Sequence, residues 1–405
     1  MVKQQRKANL HKNNVYKNWE RKRYDLSPEE RNRYRQISQA AYQAKQLAQQ
    51  GKLVALHPIN TPRLDPLDLM PQLPQIPLRT LSLFTGGGGL DLGFERAGFR
   101  HQGAYELIPI CGETLRTNHP EWQIFSGPEQ GDVAQVDWQP YRGKIDLMHG
   151  GPPCQPFSVA GGQIGEQDER NLWGEFIRAI NTIEPQVFVA ENVPGLLSKK
   201  FANFVQTHIL KKLPCYTIKQ FELQAADFGI PQVRRRVLFV GFRSAQMARK
   251  FQTPTPTHHW LPPTEPQQLS LNLDSELPAC LATMGVRQAL GLPNLGYDTI
   301  APTLRSGFTG KRNTTSVLNS AASQKTWSNL QIWPNGVQRD RQSAAAFPAK
   351  NEHFRLSVQD CAVIQGFPER WQFSGAVYQI LGQIGNSVCP PVAYQVAKAI
   401  RAMMI

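Results

Sequence analysis

Leu81-Ser82-Leu83-Phe84-Thr85-Gly86-Gly87-Gly88-Gly89-Leu90-Asp91-Leu92-Gly93-Phe94 runs from a short apolar stretch through a glycine turn into a helical pattern. Glycines let the backbone turn tightly and let a ligand approach it closely, so the stretch predicts a strand, a ligand-facing turn and a helix. Taken alone it would serve equally as a structural junction. Three more short apolar runs repeat the rhythm: Ile145-Asp146-Leu147-Met148, Val187-Phe188-Val189-Ala190 and Val237-Leu238-Phe239-Val240. Such runs between helix-length segments predict buried parallel strands in βαβ units. The chain is therefore expected to be α/β, with its ligand site at the carboxyl ends of the strands. No Gly-Lys-Ser/Thr follows the glycines, which argues against an NTP phosphate loop.

The residues able to do chemistry stand just after these runs. Glu106 follows the next apolar stretch at a distance suited to a ribose-binding carboxylate, and Asp132 is a second acid further on. Gly150-Gly151-Pro152-Pro153-Cys154-Gln155-Pro156-Phe157-Ser158 follows the strand at Asp146–His149. Three prolines fix the backbone around the Cys154 thiol, as a presented nucleophile requires and a packed core cysteine does not. The polar, Gly-rich stretch from Val159 to Arg170 has the composition of a mobile active-site loop. Glu191 ends the next strand on the same edge, where desolvation can raise its pKa and make it a general acid. In Gln232-Val233-Arg234-Arg235-Arg236, strand spacing puts Arg234 and Arg236 on one face, suited to an anionic substrate.

As a set these segments closely resemble the DNA (cytosine-5) methyltransferases, of the bacterial type II restriction–modification kind. Phe84 to Gly89 resembles the family's S-adenosylmethionine loop, Pro153-Cys154 its Pro-Cys, Glu191-Asn192-Val193 its Glu-Asn-Val and Gln232–Arg236 its Gln-x-Arg-x-Arg. Arg355-Leu356-Ser357 through Gln365-Gly366-Phe367-Pro368 resembles the penultimate motif, and Gly385-Asn386-Ser387-Val388 the last. The resemblance implies a Rossmann-like S-adenosylmethionine-dependent methyltransferase domain over 78–249, completed by 351–405. It also implies a small, irregular target-recognition domain over 250–350. Phe84, Gly86, Gly88, Leu90, Glu106 at the ribose, Asp132 at the adenine, Pro153, Asn386, Ser387 and Val388 would hold the cofactor. Cys154 would be the nucleophile, with Glu191 at cytosine N3, Arg236 at O2, and Arg234 supporting the nucleophile loop and phosphate. Ser158, Gln163 and Arg170 would be loop contacts to DNA, and Arg305 and Arg312 would read guanine or contact phosphate. Many relatives carry Trp after the ribose-binding Glu, whereas this chain has Leu107.

Composition agrees with that reading. The 405 residues hold 45 Lys+Arg against 31 Asp+Glu, a net +14, as expected of a protein with a polyanionic partner. Residues 1–50 alone carry 12 basic and 4 acidic side chains. Residues 1–77 read as a basic extension with one helix from Ser27 to about Gln50, then a Pro-punctuated extended linker. The six cysteines include no close pair, which removes a Cys-x-x-C metal site, and no metal is expected. With no long apolar run and no signal-like start, a cytoplasmic, nucleoid-associated protein is expected, without membrane contact. Duplex DNA is the expected partner, a cognate endonuclease a functional rather than physical one, and a monomer suffices. An RNA cytosine-5 methyltransferase of the same fold, or a regulator working through the N-terminal helix, are the alternatives. The Pro-Cys-Gln-Pro-Phe-Ser context favours DNA, and the intact Cys154 and Glu191 argue against regulation alone. A nicotinamide oxidoreductase shares the glycine turn but does not account for Pro-Cys.

Overall fold

Alternation within the apolar runs gives each central strand two buried faces. In Val187-Phe188-Val189-Ala190, Val187 and Val189 join one hydrophobic cluster while Phe188 and Ala190 join another on the opposite side. Leu238 and Val240 against Val237 and Phe239 divide the same way. A strand buried on both faces must lie inside a sheet covered by helices on both sides. The computed structural model describes residues 57–153, 172–260, 280–305, 315–346 and 352–405, with isolated helical positions between Pro28 and Leu47.

The sheet contains β1 (Arg79–Leu83), β2 (Arg100–Glu106), β3 (Ile124–Ser126), β4 (Leu147–Gly150), β5 (Val187–Asn192), β6 (Thr217–Gln224) and β7 (Arg235–Phe242), in the order β3-β2-β1-β4-β5-β7-β6. The chain steps outward from β1 to β3, then returns to β4 beside β1, so the switch point lies between β1 and β4. Ligands of such sheets bind in the crevice outside the strand ends at that point. Two of the motif segments, the glycine turn after β1 and the Gly-Pro turn after β4, flank it.

One strand departs from expectation. The run at Val237–Val240 lies in β7, which is antiparallel to both β5 and β6. Only ten residues join β6 to β7, too few for the crossover helix that a parallel return requires.

Helix α1 (Gly89–Arg96) opens straight from the glycine turn and packs on the last helix of the chain, α2 (Pro390–Met404). The carboxyl-terminal segment thereby completes the layer on that face. Packing at the turn is tight: a Cβ on Gly89 would fall 2.2 Å from the Val388 carbonyl oxygen. Residues 57–77 were expected to be extended throughout, but a turn at 66–69 interrupts them, where Leu69 N–H donates to Pro66 O, and they are also packed. Leu64, Met70 and Ile76 are buried, Leu73 N–H donates to Arg96 O, and Ile76 N–H donates to Gly98 O.

His149 on β4 is fully buried and stacks on Phe94 of α1, with ring centroids 4.5 Å apart and planes 19° apart. Burial pushes its pKa down to about 4; Asp91 opposes that shift and His101 adds to it. An unfolded histidine titrates near 6.5, so between these values the unfolded chain binds a proton that the folded chain does not. Stability is therefore lost as pH falls through that window, by about 3 kcal/mol in full. His149→Phe keeps the stack and should remove this part of the acid slope. Urea denaturation of both proteins at pH 7 and pH 4.5 checks it, and equal losses in the two would refute it. Gly89→Ala should destabilise the protein by about 2 kcal/mol at either pH, because the Val388 carbonyl must shift.

Candidate functional site

Strand register lines up the chemistry. Leu83 of β1 pairs with Tyr105 of β2 and with Gly150 of β4, and Gly150 pairs with Ala190 of β5. The next position on each strand therefore forms one row along the carboxyl edge: Glu106, Phe84, Gly151 and Glu191. At the usual strand spacing, the two carboxylates stand about 15 Å apart, three strand gaps.

On the β1–β2 side, Glu106 is buried, and both its oxygens accept backbone N–H groups, Gly86 at 2.7 Å and Ile108 at 2.8 Å. Burial raises its pKa, against the pull of those donors. Phe84 has a φ of +56°, a backbone that non-glycine residues rarely adopt, where the chain leaves the strand for the turn. Asp132 follows Gly131, which packs against the Glu106 carbonyl so closely that a Cβ would sit 2.0 Å away. The Asp132 carboxylate accepts Ala134 N–H at 3.2 Å and Gln135 Nε2–H at 2.6 Å. Leu90 is buried in the first turn of α1. Ser387 Oγ lies 2.9 Å from where a Gly87 Cβ would be, so Ser387 and Val388 wall one side of the turn, while Asn386 is exposed. A Cβ on Gly86 would meet nothing within 4 Å. The turn is thus closed on one side and open on the other, with two carboxylates beside it. Those acceptors fit the hydroxyl and amino groups of a nucleoside-bearing cofactor.

On the β4–β5 side, Glu191 is 8% exposed and paired with Arg236, Nε to Oε1 at 2.7 Å. Burial raises the Glu191 pKa, and Arg236 and Arg234 draw it part of the way back. Gly151 brings the turn against this carboxylate: a Cβ there would lie 3.2 Å from Glu191 Oε2. Asn192 Nδ2 donates to the Pro152 carbonyl at 3.1 Å, fixing the turn from the neighbouring strand. Pro153 is half-buried at the end of that turn. Arg234 is 1% exposed, and its guanidinium donates to the carbonyls of Gly385 at 2.9 Å and Ser387 at 2.6 Å. It has no exposed surface to offer a phosphate. Burial pushes the thiols of Cys111 and Cys361 well up, and that of Cys389 to about 11, so these three are held protonated.

The structure brings together Phe84, Gly86, Gly88, Leu90, Glu106, Asp132, Pro153, Glu191, Arg234, Arg236, Ser387 and Val388 around the two turns. Arg305 lies in the segment 301–305, which docks beside Val233: Val233 N–H donates to Ala301 O at 2.8 Å. Cys154, Ser158, Gln163, Arg170 and Arg312 lie outside the described residues. Sequence reasoning assigned no role to Asn192 or Gln232, because an uncharged amide gives no signal until its carbonyl partner is known. The hints were their places within the Glu-Asn-Val and Gln-x-Arg-x-Arg segments.

Residues 78–402 match the family described as C-5 cytosine-specific DNA methylase. Over 328 residues the chain is 36% identical to the type II methyltransferase M.NgoMIV of Neisseria gonorrhoeae, covering 79% of this chain and 96% of that protein. It is 30% identical over 339 residues to the type II methyltransferase M.PspPI of a Psychrobacter strain, covering 80% of this chain and 79% of the relative. In fold it is similar to the Entamoeba histolytica methyltransferase EhMeth, with a TM-score of 0.53 at 16% identity over 82% of this chain and all of the other.

Proposed function

The chain belongs to the C-5 cytosine-specific DNA methylase family, and from that premise we propose how its own residues perform the reaction. The protein methylates cytosine at C5 in specific duplex DNA sequences, with S-adenosylmethionine as donor, as the modification enzyme of a type II system. Residues 78–249 and 351–405 form the catalytic and cofactor-binding domain in this reading, and 250–350 the target-recognition domain. The observation that carries the assignment of the site is the buried Glu191–Arg236 pair standing against the turn that leads into Cys154.

C5 of cytosine is a poor nucleophile within an aromatic ring. When bound, the cofactor supplies an electrophilic methyl group on a sulfonium. The protein's part is to make C5 electron-rich. The Cys154 thiolate adds to C6, breaking aromaticity and leaving C5 enamine-like. Glu191, whose burial favours its protonated form, gives a proton to N3 as negative charge develops there. Arg236 holds Glu191 in place and donates to O2. After methylation the C5 proton passes to solvent water, which rebuilds the C5–C6 double bond and expels the Cys154 thiolate, and N3 returns its proton to Glu191. None of this can occur within a stacked duplex, so the cytosine flips out at a cost of a few kcal/mol. Closure of the loop carrying Ser158, Gln163 and Arg170 offsets part of that cost. Arg234 acts through the carbonyls of Gly385 and Ser387, so we assign it a positioning role.

For the cofactor, support comes from the open side of the turn at Gly86 and the buried carboxylate of Glu106. The remaining assignments are Phe84, Gly88, Leu90, Asp132, Pro153, Asn386, Ser387 and Val388. Arg305 and Arg312 are assigned to DNA. Among the described residues no helix is long and apolar enough to cross a membrane. We place the protein in the cytoplasm, acting on DNA as a monomer, with the cognate endonuclease as its functional counterpart.

Transfer of labelled methyl from S-adenosylmethionine to duplex DNA, with the nucleosides then identified, tests this reading. Wild type should yield 5-methyldeoxycytidine and leave transfer RNA unlabelled. Cys154→Ser should lose the activity by on the order of 10³-fold or more, and Glu191→Gln by about 10²-fold or more. Labelling of transfer RNA alone would overturn the substrate, and full activity in Cys154→Ser would overturn the mechanism.

A further inference from the structure

Two glutamines with no exposed surface stand end to end behind the site, outside the catalytic groups assigned above. Gln232 precedes β7, and Gln365 ends the helix α3 (Val358–Gln365). Gln232 Oε1 accepts the N–H of Leu304 at 3.2 Å. Its Nε2 donates to Gln365 Oε1 at 2.9 Å and to Ile364 O at 3.1 Å. Gln365 Nε2 in turn donates to the Ser387 carbonyl at 2.6 Å, which also accepts Arg234. A backbone N–H fixes one end of this chain and a backbone carbonyl the other, so both amides can point only one way. The docking of segment 301–305 has further ties, Ala301 N–H to Pro231 O at 2.8 Å and the Thr303 hydroxyl to Val233 O.

The chain of bonds connects two places with different assignments. Segment 301–305 belongs to the proposed recognition domain and ends on Arg305. Ser387 and Val388 wall the glycine turn, leaving no slack at Gly87 or Gly89. Buried amides that lose a partner find no water to replace it, so a shift of Leu304 is passed on rather than absorbed. Leucine or methionine at 232 and 365 would fill the space but leave Leu304 N–H without its acceptor and Ser387 O without one of its donors. We propose that Gln365 is a positioning residue, coupling the seat of the recognition segment to the wall of the cofactor turn. Target DNA and cofactor then strengthen each other's binding through Gln232, Gln365 and Ser387. The inference rests on the functional reading above.

The test measures the dissociation constant of S-adenosylhomocysteine, which cannot be turned over, with and without unmethylated duplex DNA made by polymerase chain reaction. Linkage requires DNA and cofactor to affect each other by the same factor. For wild type that factor should be about 5 or more. Gln365→Met, close in volume, should bring it to within about 2 of unity, with affinity in the absence of DNA changed less than about 3-fold. A merely structural role would lower the melting temperature and both affinities together and leave the factor intact, which overturns the proposal. A wild-type factor of one overturns it too. Gln365→Glu keeps the acceptor for Gln232 and loses the donor to Ser387, and should also reduce the factor; it carries the test if Gln365→Met does not fold. Methyl transfer is measured alongside. Wild type that forms 5-methyldeoxycytidine while the variants keep its factor removes only the coupling, and folded wild type that forms none removes the functional reading with it.

Discussion

Burial raises the pKa of Glu191, and a buried carboxylate without a partner is costly, so a cation has to stand beside it. Arg236 at 2.7 Å is that cation, and the direction of β7 follows from the need to put it there. A parallel neighbour of β5 would bring only its last residues to the carboxyl edge. An antiparallel one begins at that edge, so the five residues Gln232–Arg236 arrive together at the site. Arg236 reaches Glu191, Arg234 reaches Gly385 and Ser387, and Gln232 reaches Leu304 and Gln365. The single reversed strand delivers three differently directed side chains from one short segment.

The other half of the site depends on close backbone approach. Gly151 lets the turn after β4 lie against Glu191, and Gly89 lets α1 start against the Val388 carbonyl. Neither contact is local in sequence: Val388 returns to the turn after an excursion of nearly three hundred residues. Arg234 helps to hold that return in place, since its buried guanidinium donates to the carbonyls of Gly385 and Ser387. A guanidinium there satisfies two backbone oxygens with fixed geometry, which a lysine would do with less precision.

The four apolar runs and the motif positions were legible because they depend on local patterns, a strand ending where a glycine, proline or acid begins. The direction of the run at Val237–Val240 was not, because a period-two pattern reads the same both ways. Its short connection to β6 held the information, but β6 itself was hidden: Thr217, Lys219, Gln220 and Glu222 are exposed on an edge strand and give no apolar run. The packing of residues 57–77 was missed for a similar reason. Six prolines dominate the stretch from 53 to 77 and mark it as irregular, while Leu64, Met70 and Ile76 are too sparsely spaced to suggest a buried face. The roles of Gln232 and Gln365 depend on each other and on backbone partners distant in the chain.

That packed stretch also bears on how the two halves of the molecule are held. At one end Leu73 and Ile76 bond to the carbonyls of Arg96 and Gly98, at and just past the end of the helix that follows the glycine turn. At the other, Arg63 and Leu64 donate to Ala289 O, inside the proposed recognition domain, and Asn60 Nδ2 donates to Leu290 O and to Asp360 Oδ1, each at 3.0 Å. The segment is thus bonded at both ends, so separating the parts it joins requires breaking several hydrogen bonds at once.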